Sequence, residues 1–437
     1  MSNKTVYIAM ATDIVHNGHM NVIKEGAKYG EVTIGLLTDE AIATYDRLPL
    51  LDFESRKLIF ENIKGVSSVV AQDTLDYTKN LETLKPDYVI HGDDWKTGVQ
   101  SNIRAKLIET LAQWGGQLIE IPYTRNDATV LLDAKFWALH NTPDERRAKL
   151  RRLLKVKPLV RALEASNGLT GLIVENTKLV DAESAQIKEF DAMWISSLCD
   201  STFKGKPDIE LVDLTSRLNT INEIMEVTTK PIILDGDTGG LLEHFVFNVK
   251  TLERIGISAI IIEDKTGLKK NSLFGTEVQQ TMDDPHNFAE KIRAGKQAQI
   301  TRDFMIFARI ESMIAGLGVD DAFMRAKIYI EEGNADGIMM HSKEKDGAEI
   351  IEFLRRFRAY SHDIPVIVVP TTYNYLKDEE LAAMGANIVI HANHLLRSAY
   401  PAMKKTAEVI LASGRSKEAD ELCMSVSEIL RLIPGGE

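Results

Sequence analysis

The stretch PIILDGDTGGLLEHFVFNVKTLERIGISAIIIEDK, residues 231–265, decides the fold of the larger part of this chain. It begins with an apolar run that ends in Asp235, continues with a segment of helical period, and ends with a second apolar run that reaches Glu263. A strand, a helix and a strand in this order predict a βαβ unit, in which the strands are parallel and the helix crosses between them.

The same alternation runs from about residue 165 to about residue 410. Eight apolar runs are candidate strands: GLIVEN, FDAMWIS, PIILDGD, AIIIEDK, FMIFARI, GIMMHS, PVIVVP and NIVIHA. Eight β/α units in about 250 residues are typical of a (β/α)8 TIM-type barrel. We expect the helix-rich residues 398–435 to pack outside this barrel or against a partner subunit.

The first 140 residues alternate in the same way, with strand-like runs TVYIAMA, VTIGLLT, VSSVVA, DYVIHG and QLIEIPY. They predict a Rossmann-like α/β domain with a parallel sheet, whose functional edge lies at the carboxyl ends of the strands. A charged stretch of helical spacing, TPDERRAKLRRLLKVKPLVRALE, separates the two regions. We therefore predict a domain at 1–140, a linker helix at 141–164 and the barrel at 165–437.

The composition excludes several classes of function. The chain has 437 residues and a net charge of −12, which argues against a nucleic-acid surface, because phosphate binding favours an excess of Lys and Arg. Two cysteines argue against a disulfide framework and favour the reducing cytoplasm. The N-terminus lacks an apolar signal region, and no run of about 18 apolar residues predicts a membrane span.

Charged residues follow the predicted barrel strands where the active site of such a barrel forms. Asp235, Asp237 and Glu263 supply carboxylate oxygens, which are the ligands that Mg²⁺ prefers. Arg309 and His341 end two further strands and could stabilise a phosphoryl group. Each motif alone is explained as well by helix capping, a salt bridge or a structural hydrogen bond, and only their common location favours one site.

Together these segments resemble the phosphoenolpyruvate mutase/isocitrate lyase superfamily, and specifically its mutases. The loop EDKTGLKKNS, residues 263–272, fits the mutase pattern of EDK, five residues and NS. The lyases carry a catalytic cysteine in a KKCGH-type motif, which this chain lacks. MWISS, Asp208, LDGDTG, ARIES, MHSK, PTTY and HANHLLR extend the resemblance over residues 165–435. One departure is DGDTGGLLEH, where the family commonly has DADTGYGN; it could change the size of the pocket.

The resemblance implies a role for each matching residue. The substrate pocket would contain Trp194 and Ser196, and a mobile gating loop would carry Lys269, Asn271 and Ser272. Asp208 would hold or receive the phosphoryl group, which Arg309 and His341 would contact, with Asn271 added on closure. Asp235 would bind Mg²⁺ directly, while Asp237 and Glu263 would hold its waters.

The N-terminal domain carries the motif HNGH, His16–His19, between a strand and a helix. Free N–H groups at a helix N-terminus suit a triphosphate. With ESRKLI at 54–59 and HGDDW at 91–95, the domain resembles nucleotidylyltransferases of the HxGH class, especially glycerol-3-phosphate cytidylyltransferase. The resemblance implies a nucleotide site formed by the following residues: His16, His19, Arg56, Asp94, Arg125 and Thr129.

That family has an RTEGIST-type motif where this chain has YTRNDATV, residues 123–130. Tyr123 replaces the family's Arg, and Arg125 is the candidate to supply the missing charge. The family's lysine before the ERRK-type helix is also not matched, and Arg47 is the nearest cation.

The two resemblances imply a bifunctional enzyme of phosphonate biosynthesis. The barrel would interconvert phosphoenolpyruvate and phosphonopyruvate, and the N-terminal domain would transfer CMP from CTP to a small phosphonate. Family barrels assemble through exchanged C-terminal helices, which implies a homotetramer. The alternatives are a phosphonopyruvate hydrolase barrel, or a mutase whose N-terminal domain binds nucleotide without catalysis or serves only in assembly.

Overall fold

The computed structural model describes residues 4–12, 14–96, 100–122, 139, 141–181, 184, 186–267 and 269–433. Its N-terminal domain is a parallel sheet of strands β1 (Thr5–Met10), β2 (Glu31–Leu37), β3 (Val66–Gln72), β4 (Tyr88–Gly92) and β5 (Gln117–Ile121). The strands lie in the order β3-β2-β1-β4-β5. The helices are α1 (Asn17–Gly26), α2 (Asp39–Ile42), α3 (Phe53–Glu61), α4 (Thr78–Leu84) and α5 (Ser101–Ala112), and a 3₁₀ turn spans Asp93–Trp95.

The second domain is a closed parallel barrel of eight strands. They are β6 (Val160–Glu164), β9 (Ala192–Ile195), β10 (Ile232–Asp235), β11 (Ala259–Glu263), β12 (Met305–Ile310), β13 (Gly337–Met340), β14 (Val366–Val368) and β15 (Ile388–His391). Strands β7 (Lys178–Val180) and β8 (Ile187–Glu189) form a separate antiparallel pair. The fold class predicted from the sequence, a Rossmann-like domain followed by a (β/α)8 barrel, is confirmed.

The helices of this domain follow the strands along the chain. They are α6 (Pro143–Val156), α7 (Gly168–Asn176), α8 (Ser197–Phe203), α9 (Leu214–Met225), α10 (Leu242–Ile255), α11 (Pro285–Ala298), α12 (Gly318–Glu331), α13 (Ala348–Tyr360), α14 (Asp378–Ala383), α15 (His394–Ser413) and α16 (Val426–Leu432). Two 3₁₀ segments span Ser272–Glu277 and Lys417–Leu422.

The prediction of GLIVEN as the first barrel strand is wrong, because these residues lie in helix α7. Asn167 caps that helix: its side chain accepts a hydrogen bond from the Thr170 N–H at 2.9 Å, and the Thr170 hydroxyl accepts one from the Asn167 N–H. A short apolar run fits a buried helix as well as a buried strand, so the cap decides between them.

The first barrel strand is instead β6, which pairs with β15 on one side and β9 on the other. The charged helix α6 ends at Val156, two residues before Pro158, which disfavours helical geometry in the residue that precedes it. The barrel therefore begins at Val160, inside the segment that the sequence assigned to a linker helix.

Helix α6 closes the amino-terminal end of the barrel. Lys149 Nζ donates to the Thr229 carbonyl at 2.8 Å, and an Arg147 N–H donates to the Glu253 carbonyl at 2.8 Å. The N-terminal domain contacts the same end, where the Ile187 N–H donates to the Thr44 carbonyl at 2.8 Å. The carboxyl ends of the barrel strands, where the predicted site residues lie, are at the opposite end.

The C-terminal helices leave an apolar surface uncovered in the single chain. No residue of α15 or α16 is buried, and Leu411 and Val426 are 85% and 75% exposed. Among the described residues, none of the helices combines the length and the apolar character needed to cross a membrane.

Candidate functional site

The carboxyl ends of four neighbouring barrel strands bring the predicted residues together. Asp235 ends β10 and Glu263 ends β11, while Arg309 lies one residue before the end of β12. His341 follows β13 directly. All four residues are at least nine-tenths buried, so their charges act on one another with little screening by water.

Asp235 is fixed by Ser197, the first residue of α8. Its Oδ2 accepts hydrogen bonds from the Ser197 hydroxyl at 2.8 Å and the Ser197 N–H at 3.2 Å. Its Oδ1 accepts one from the Asp237 N–H at 3.2 Å. Asp237 has a φ of 54°, in the left-handed region that Asp tolerates better than most residues, and its carboxylate contacts Arg217 and Lys269.

The Lys269 ammonium lies in contact with several acidic side chains of the site. Its Nζ donates to the Ser197 hydroxyl at 2.6 Å, to Asp208 Oδ1 at 3.3 Å and to Asp237 Oδ1. Arg217, in the first turn of α9, donates to the other oxygen of Asp237 at 3.0 Å. We refer to Asp208, Asp235, Asp237 and Glu263 below as the acidic cluster.

The pKa values of this cluster differ with the balance of burial and charge. Burial alone would raise the pKa of Asp235, but the positive charges of Lys269, Arg309 and Arg217 outweigh it and hold that pKa well below its usual range. Burial raises the pKa of Glu263 to about 7, and the nearby cations offset it only in part. Burial would lower the pKa of Lys269, but the surrounding carboxylates raise it well above 10.5, so this side chain is a fixed cation.

The acidic cluster has the donor chemistry of a magnesium site. Within the described residues, both carboxylate oxygens of Glu263 lack a hydrogen-bond partner although the side chain is fully buried. The described part of the chain contains no three His, Cys, Asp or Glu side chains already arranged around a metal position. Mg²⁺ does not require such an arrangement, because it usually keeps several waters and takes only one or two carboxylates from the protein.

A second group of charges surrounds Arg309. Its Nε donates to Glu311 at 2.6 Å and its NH2 group donates to the Ser272 hydroxyl at 2.6 Å, while NH1 lies 3.5 Å from Glu263. Lys265 Nζ also donates to the Ser272 hydroxyl, at 3.1 Å. Ser272 is therefore held at the barrel mouth by two cations and by Glu311, to which its own hydroxyl donates.

These groups enclose a small polar cavity of about 60 Å³. It is lined by most of the residues predicted from the sequence: Trp194, Ser196, Asp208, Asp235, Lys269, Asn271, Ser272, Arg309 and His341. Asn271 donates to Asp208 Oδ2 at 2.7 Å across the cavity. Asp237 and Glu263 do not line the cavity. Each forms an ion pair with a lining residue, Asp237 with Lys269 and Glu263 with Arg309.

Two lining groups have polar atoms without partners in the described structure: the Trp194 indole N–H and His341 Nδ1. Both side chains are about 95% buried or more. Burial, together with the positive charge of Arg309, lowers the pKa of His341 to about 4, so the imidazole is neutral at pH 7. A bound ligand with oxygen atoms would satisfy both groups.

Several residues of this site were not assigned a role from the sequence. Arg217 has no local motif to announce it, because it lies within an ordinary amphipathic helix. Ser197, Glu311, Thr371 and Asn393 belong to segments quoted for the resemblance, namely MWISS, ARIES, PTTY and HANH, so neighbouring motif positions could have identified them.

The N-terminal domain has its own cavity, of about 390 Å³, at the carboxyl edge of its sheet. That volume is in the range of small-molecule sites. His16, Gly18 and His19 line it at the start of α1, together with Arg47 and the end of β1. The predicted order of strand, loop and helix at HNGH is confirmed, but the helix begins at Asn17 rather than near His19, so that His16 caps it and Asn17–His19 lie in its first turn.

The two histidines have defined hydrogen-bond polarity. His16 Nδ1 accepts from the Gly18 N–H at 3.0 Å, and His19 Nδ1 accepts from the His16 N–H at 3.3 Å. Since Nδ1 accepts in both rings, a neutral ring carries its proton on Nε2 and can donate it to a ligand. Burial and the neighbouring His16 lower the pKa of His19 to about 4, which keeps that ring neutral.

One residue predicted to bind nucleotide, Arg56, does not line this cavity. Arg56 is fully buried, donates to the Ala11 and Leu37 carbonyls and to Asp39, and is not among the residues that line the cavity. Its position supports the ends of β1 and β2 rather than a direct contact with nucleotide. Arg125, Thr129 and the side chain of Asp94 lie outside the described residues. Arg47 does line the cavity, and its guanidinium donates to Glu175 of the barrel domain.

Comparison with known proteins gives two family matches. The model described as phosphoenolpyruvate phosphomutase matches residues 150–411, and a cytidylyltransferase-like model matches residues 12–197, beyond the N-terminal sheet and into β9. The phosphoenolpyruvate phosphomutase of Tetrahymena pyriformis is 35% identical over 285 residues, which cover 65% of this chain and 90% of that protein.

Two solved structures are also similar. That of phosphoenolpyruvate phosphomutase from Streptomyces platensis subsp. rosaceus is 34% identical with a TM-score of 0.58, and the match covers 65% of this chain and 93% of the other. That of a phosphonopyruvate hydrolase in complex with oxalate and Mg²⁺ is 32% identical with a TM-score of 0.56, covering 67% and 94%.

Proposed function

The chain belongs to the phosphoenolpyruvate phosphomutase family, and on that premise we propose that its barrel interconverts phosphoenolpyruvate and phosphonopyruvate. The observation that carries the proposal is the small polar cavity that Arg309, His341, Asn271 and Asp208 line together, with Asn271 hydrogen-bonded to Asp208. In the forward direction the bond from phosphorus to the enol oxygen breaks, and a bond from phosphorus to carbon 3 of the resulting enolate forms. The reaction is an isomerisation, so no proton or electron is gained or lost overall.

The residues of the cavity divide this work. Arg309 is a permanent cation that can bind phosphoryl oxygens, and neutral His341 adds a hydrogen bond without adding charge. Ser196 and the Trp194 N–H would orient the substrate carboxylate. Asp208 would hold or receive the phosphoryl group while it passes between oxygen and carbon.

Mg²⁺ is the proposed cofactor, with Asp235 as its direct ligand and Asp237 and Glu263 as the carboxylates that hold its waters. When bound, it would neutralise negative charge on the reacting phosphoryl and enolate oxygens. The hard oxygen donors of the acidic cluster support this assignment, as do the two Glu263 oxygens, which accept no hydrogen bond and lie only in ion pairs with Lys265 and Arg309. The related structure of a phosphonopyruvate hydrolase in complex with oxalate and Mg²⁺ agrees with it.

Exclusion of water favours the mutase over the hydrolase. A metaphosphate-like phosphoryl group would be captured by any water that reached it. Lys269 and Ser272 of the loop over the site are about 97% buried, and only about 60 Å³ remains open. The test is to incubate the protein with Mg²⁺ and phosphonopyruvate. Accumulation of phosphoenolpyruvate supports the proposal, and release of pyruvate with phosphate supports the hydrolase.

For the N-terminal domain we propose transfer of CMP from CTP to a small phosphonate, such as 2-hydroxyethyl- or 2-aminoethylphosphonate. An oxygen of the phosphonate would bond to the α-phosphorus of CTP, and the bond to pyrophosphate would break. The Nε2–H groups of His16 and His19 would stabilise the departing pyrophosphate, with Arg125, Thr129 and Asp94 as further candidate contacts.

Calorimetry with CTP and ATP, followed by a pyrophosphate-release assay, tests this second activity. Binding with turnover supports a transferase, and binding without turnover supports a nucleotide sensor. Absence of binding would leave the domain a role in assembly only.

We further propose that the protein is a cytoplasmic homotetramer assembled through α15 and α16. The exposed apolar side chains of these helices support a partner surface, and both cysteines, Cys199 and Cys423, are free. Light scattering at micromolar concentration tests the assembly, and a monomer would contradict it.

A further inference from the structure

A second, smaller cavity lies beside the proposed nucleotide cavity. Its volume is about 150 Å³, which is about the space that five water molecules occupy in the liquid. The two cavities share wall residues at the end of β1, Ala9 to Ala11, and also share Tyr45 and His91. A molecule in the small cavity would therefore lie next to a nucleotide in the large one.

Aromatic rings form one wall of the small cavity. The His91 and Trp95 rings stack with their centroids 3.6 Å apart, and Tyr77 meets Trp95 at 5.9 Å. The Trp95 indole N–H is already used, because it donates to Glu120 at 3.0 Å. This wall offers apolar contact to an alkyl chain.

Two amide side chains, Gln72 and Gln100, also line the cavity, and of these Gln72 is the buried one, at 2% exposed. A chain of hydrogen bonds fixes which end of its amide is the nitrogen. Asn80 Nδ2 donates to the Ala71 carbonyl at 2.9 Å, which identifies that atom as the nitrogen, and it also donates to the Tyr7 hydroxyl at 2.9 Å. Tyr7 must then donate its own proton, and it does so to Gln72 Oε1.

This polarity makes Gln72 Nε2, on a residue that lines the cavity, the donor end of the amide. Within the described part of the chain, Nε2 has no hydrogen-bond partner. A buried amide N–H without an acceptor is unfavourable, and a ligand atom that accepts the bond removes that penalty. An ammonium group cannot do so, because it has donors and no acceptor.

We propose that this cavity binds the carbon tail of the acceptor phosphonate, and that Gln72 selects a tail that ends in a hydrogen-bond-accepting oxygen, such as a hydroxyl, over one that ends in an ammonium group. The inference rests on the proposed CMP transfer and names the substrate class for that site. The phosphonate head faces the nucleotide cavity, where His16 and His19 lie, and the alkyl chain contacts Tyr77 and Trp95.

The test compares 2-hydroxyethylphosphonate with 2-aminoethylphosphonate in CTP-dependent pyrophosphate release by the full-length protein. We expect the hydroxyl compound to be preferred by at least about tenfold in kcat/KM. Gln72→Met removes the donor and should abolish the preference, with CTP affinity retained. Gln72→Glu keeps the shape and the bond from Tyr7 and presents an oxygen to the ammonium group, so it should reverse the preference. Gln113→Glu, at an exposed position, is the matched control.

Equal use of the two compounds by the wild type, or an unchanged preference in Gln72→Met, overturns the proposal. CTP binding by calorimetry reports whether each variant retains a folded N-terminal domain. If no phosphonate supports pyrophosphate release by the wild type, the proposed CMP transfer is wrong, and binding of the phosphonate then tests the cavity assignment by itself. Saturation-transfer NMR from the Tyr77 and Trp95 rings to 2-hydroxyethylphosphonate then supports the cavity assignment, and absence of transfer overturns it.

Discussion

Replacement of Lys269 by Met tests whether one ammonium group holds the acidic cluster together. Met keeps most of the length and volume of the Lys stem, so the change removes charge with little loss of packing. Lys269 is 3% exposed, and its Nζ lies 3.3 Å from Asp208 Oδ1. Opposite unit charges at that distance attract by about 5 kcal/mol at an effective dielectric constant of about 20.

The desolvation of the ammonium group offsets part of that attraction. Removal of one partner from a buried ion pair typically costs about 3–5 kcal/mol, and we expect Lys269→Met to lower the free energy of unfolding of the barrel by that amount without Mg²⁺. The loss should shrink as the pH falls from 7.5 toward 5, because carboxylates that have lost their cation gain a raised pKa and become protonated.

Hydrogen exchange in the barrel strands, followed as a function of urea concentration, measures the effect on this domain. Lys270→Met, at the exposed neighbouring position, is the control. Mg²⁺ should stabilise Lys269→Met more than the wild type, because the ion and the ammonium group would neutralise the same carboxylates. If Lys269→Met unfolds within about 1 kcal/mol of Lys270→Met in the absence of Mg²⁺, the ammonium group does not occupy the cluster in solution and the reasoning is refuted.

Three further predictions follow from the two sites. Asn271→Ala should lower the mutase rate by roughly a hundredfold or more and leave CTP affinity unchanged, because the bond to Asp208 closes the loop over the substrate; a small effect would mean that the loop only covers the site. His19→Gln should reduce the acid sensitivity of the N-terminal domain. The pKa of His19 is near 4 in the folded state and about 6.5 in the unfolded state, so the wild type should lose about 1.3 kcal/mol of unfolding free energy between pH 7.5 and 5.5. Hydrogen exchange in β1 measures this loss, and an equal loss in the variant would contradict the prediction. Arg47→Ala should weaken CTP binding and leave mutase activity intact, and unaltered calorimetry would show that this cation makes no contact with the triphosphate.

The active end of the barrel could be predicted from the sequence because its chemistry lies at strand ends. Asp235, Glu263 and Arg309 each end or nearly end an apolar run, and a parallel barrel brings such positions to one face. The error at GLIVEN has the opposite cause. A six-residue apolar run has no period that separates a strand from a buried helix, and the deciding Asn167 cap lies outside it.

Two other features depend on contacts that no local pattern encodes. Arg217 lies within an ordinary amphipathic helix, and only the closed barrel brings it to Asp237. The orientation of the Gln72 amide is set by Tyr7 and Asn80. Tyr7 is 65 residues from Gln72 and 73 residues from Asn80 along the chain. These contacts form only after the barrel and the N-terminal sheet have brought residues that are distant in sequence together.

The most direct test of the central claim is ³¹P NMR of the purified protein with Mg²⁺ and phosphonopyruvate. The account predicts that the phosphonate resonance declines while the phosphate-ester resonance of phosphoenolpyruvate grows, without inorganic phosphate, and that Asp235→Ala abolishes the conversion. Growth of inorganic phosphate in place of the ester, or an unchanged phosphonate resonance with the wild-type protein, would contradict it.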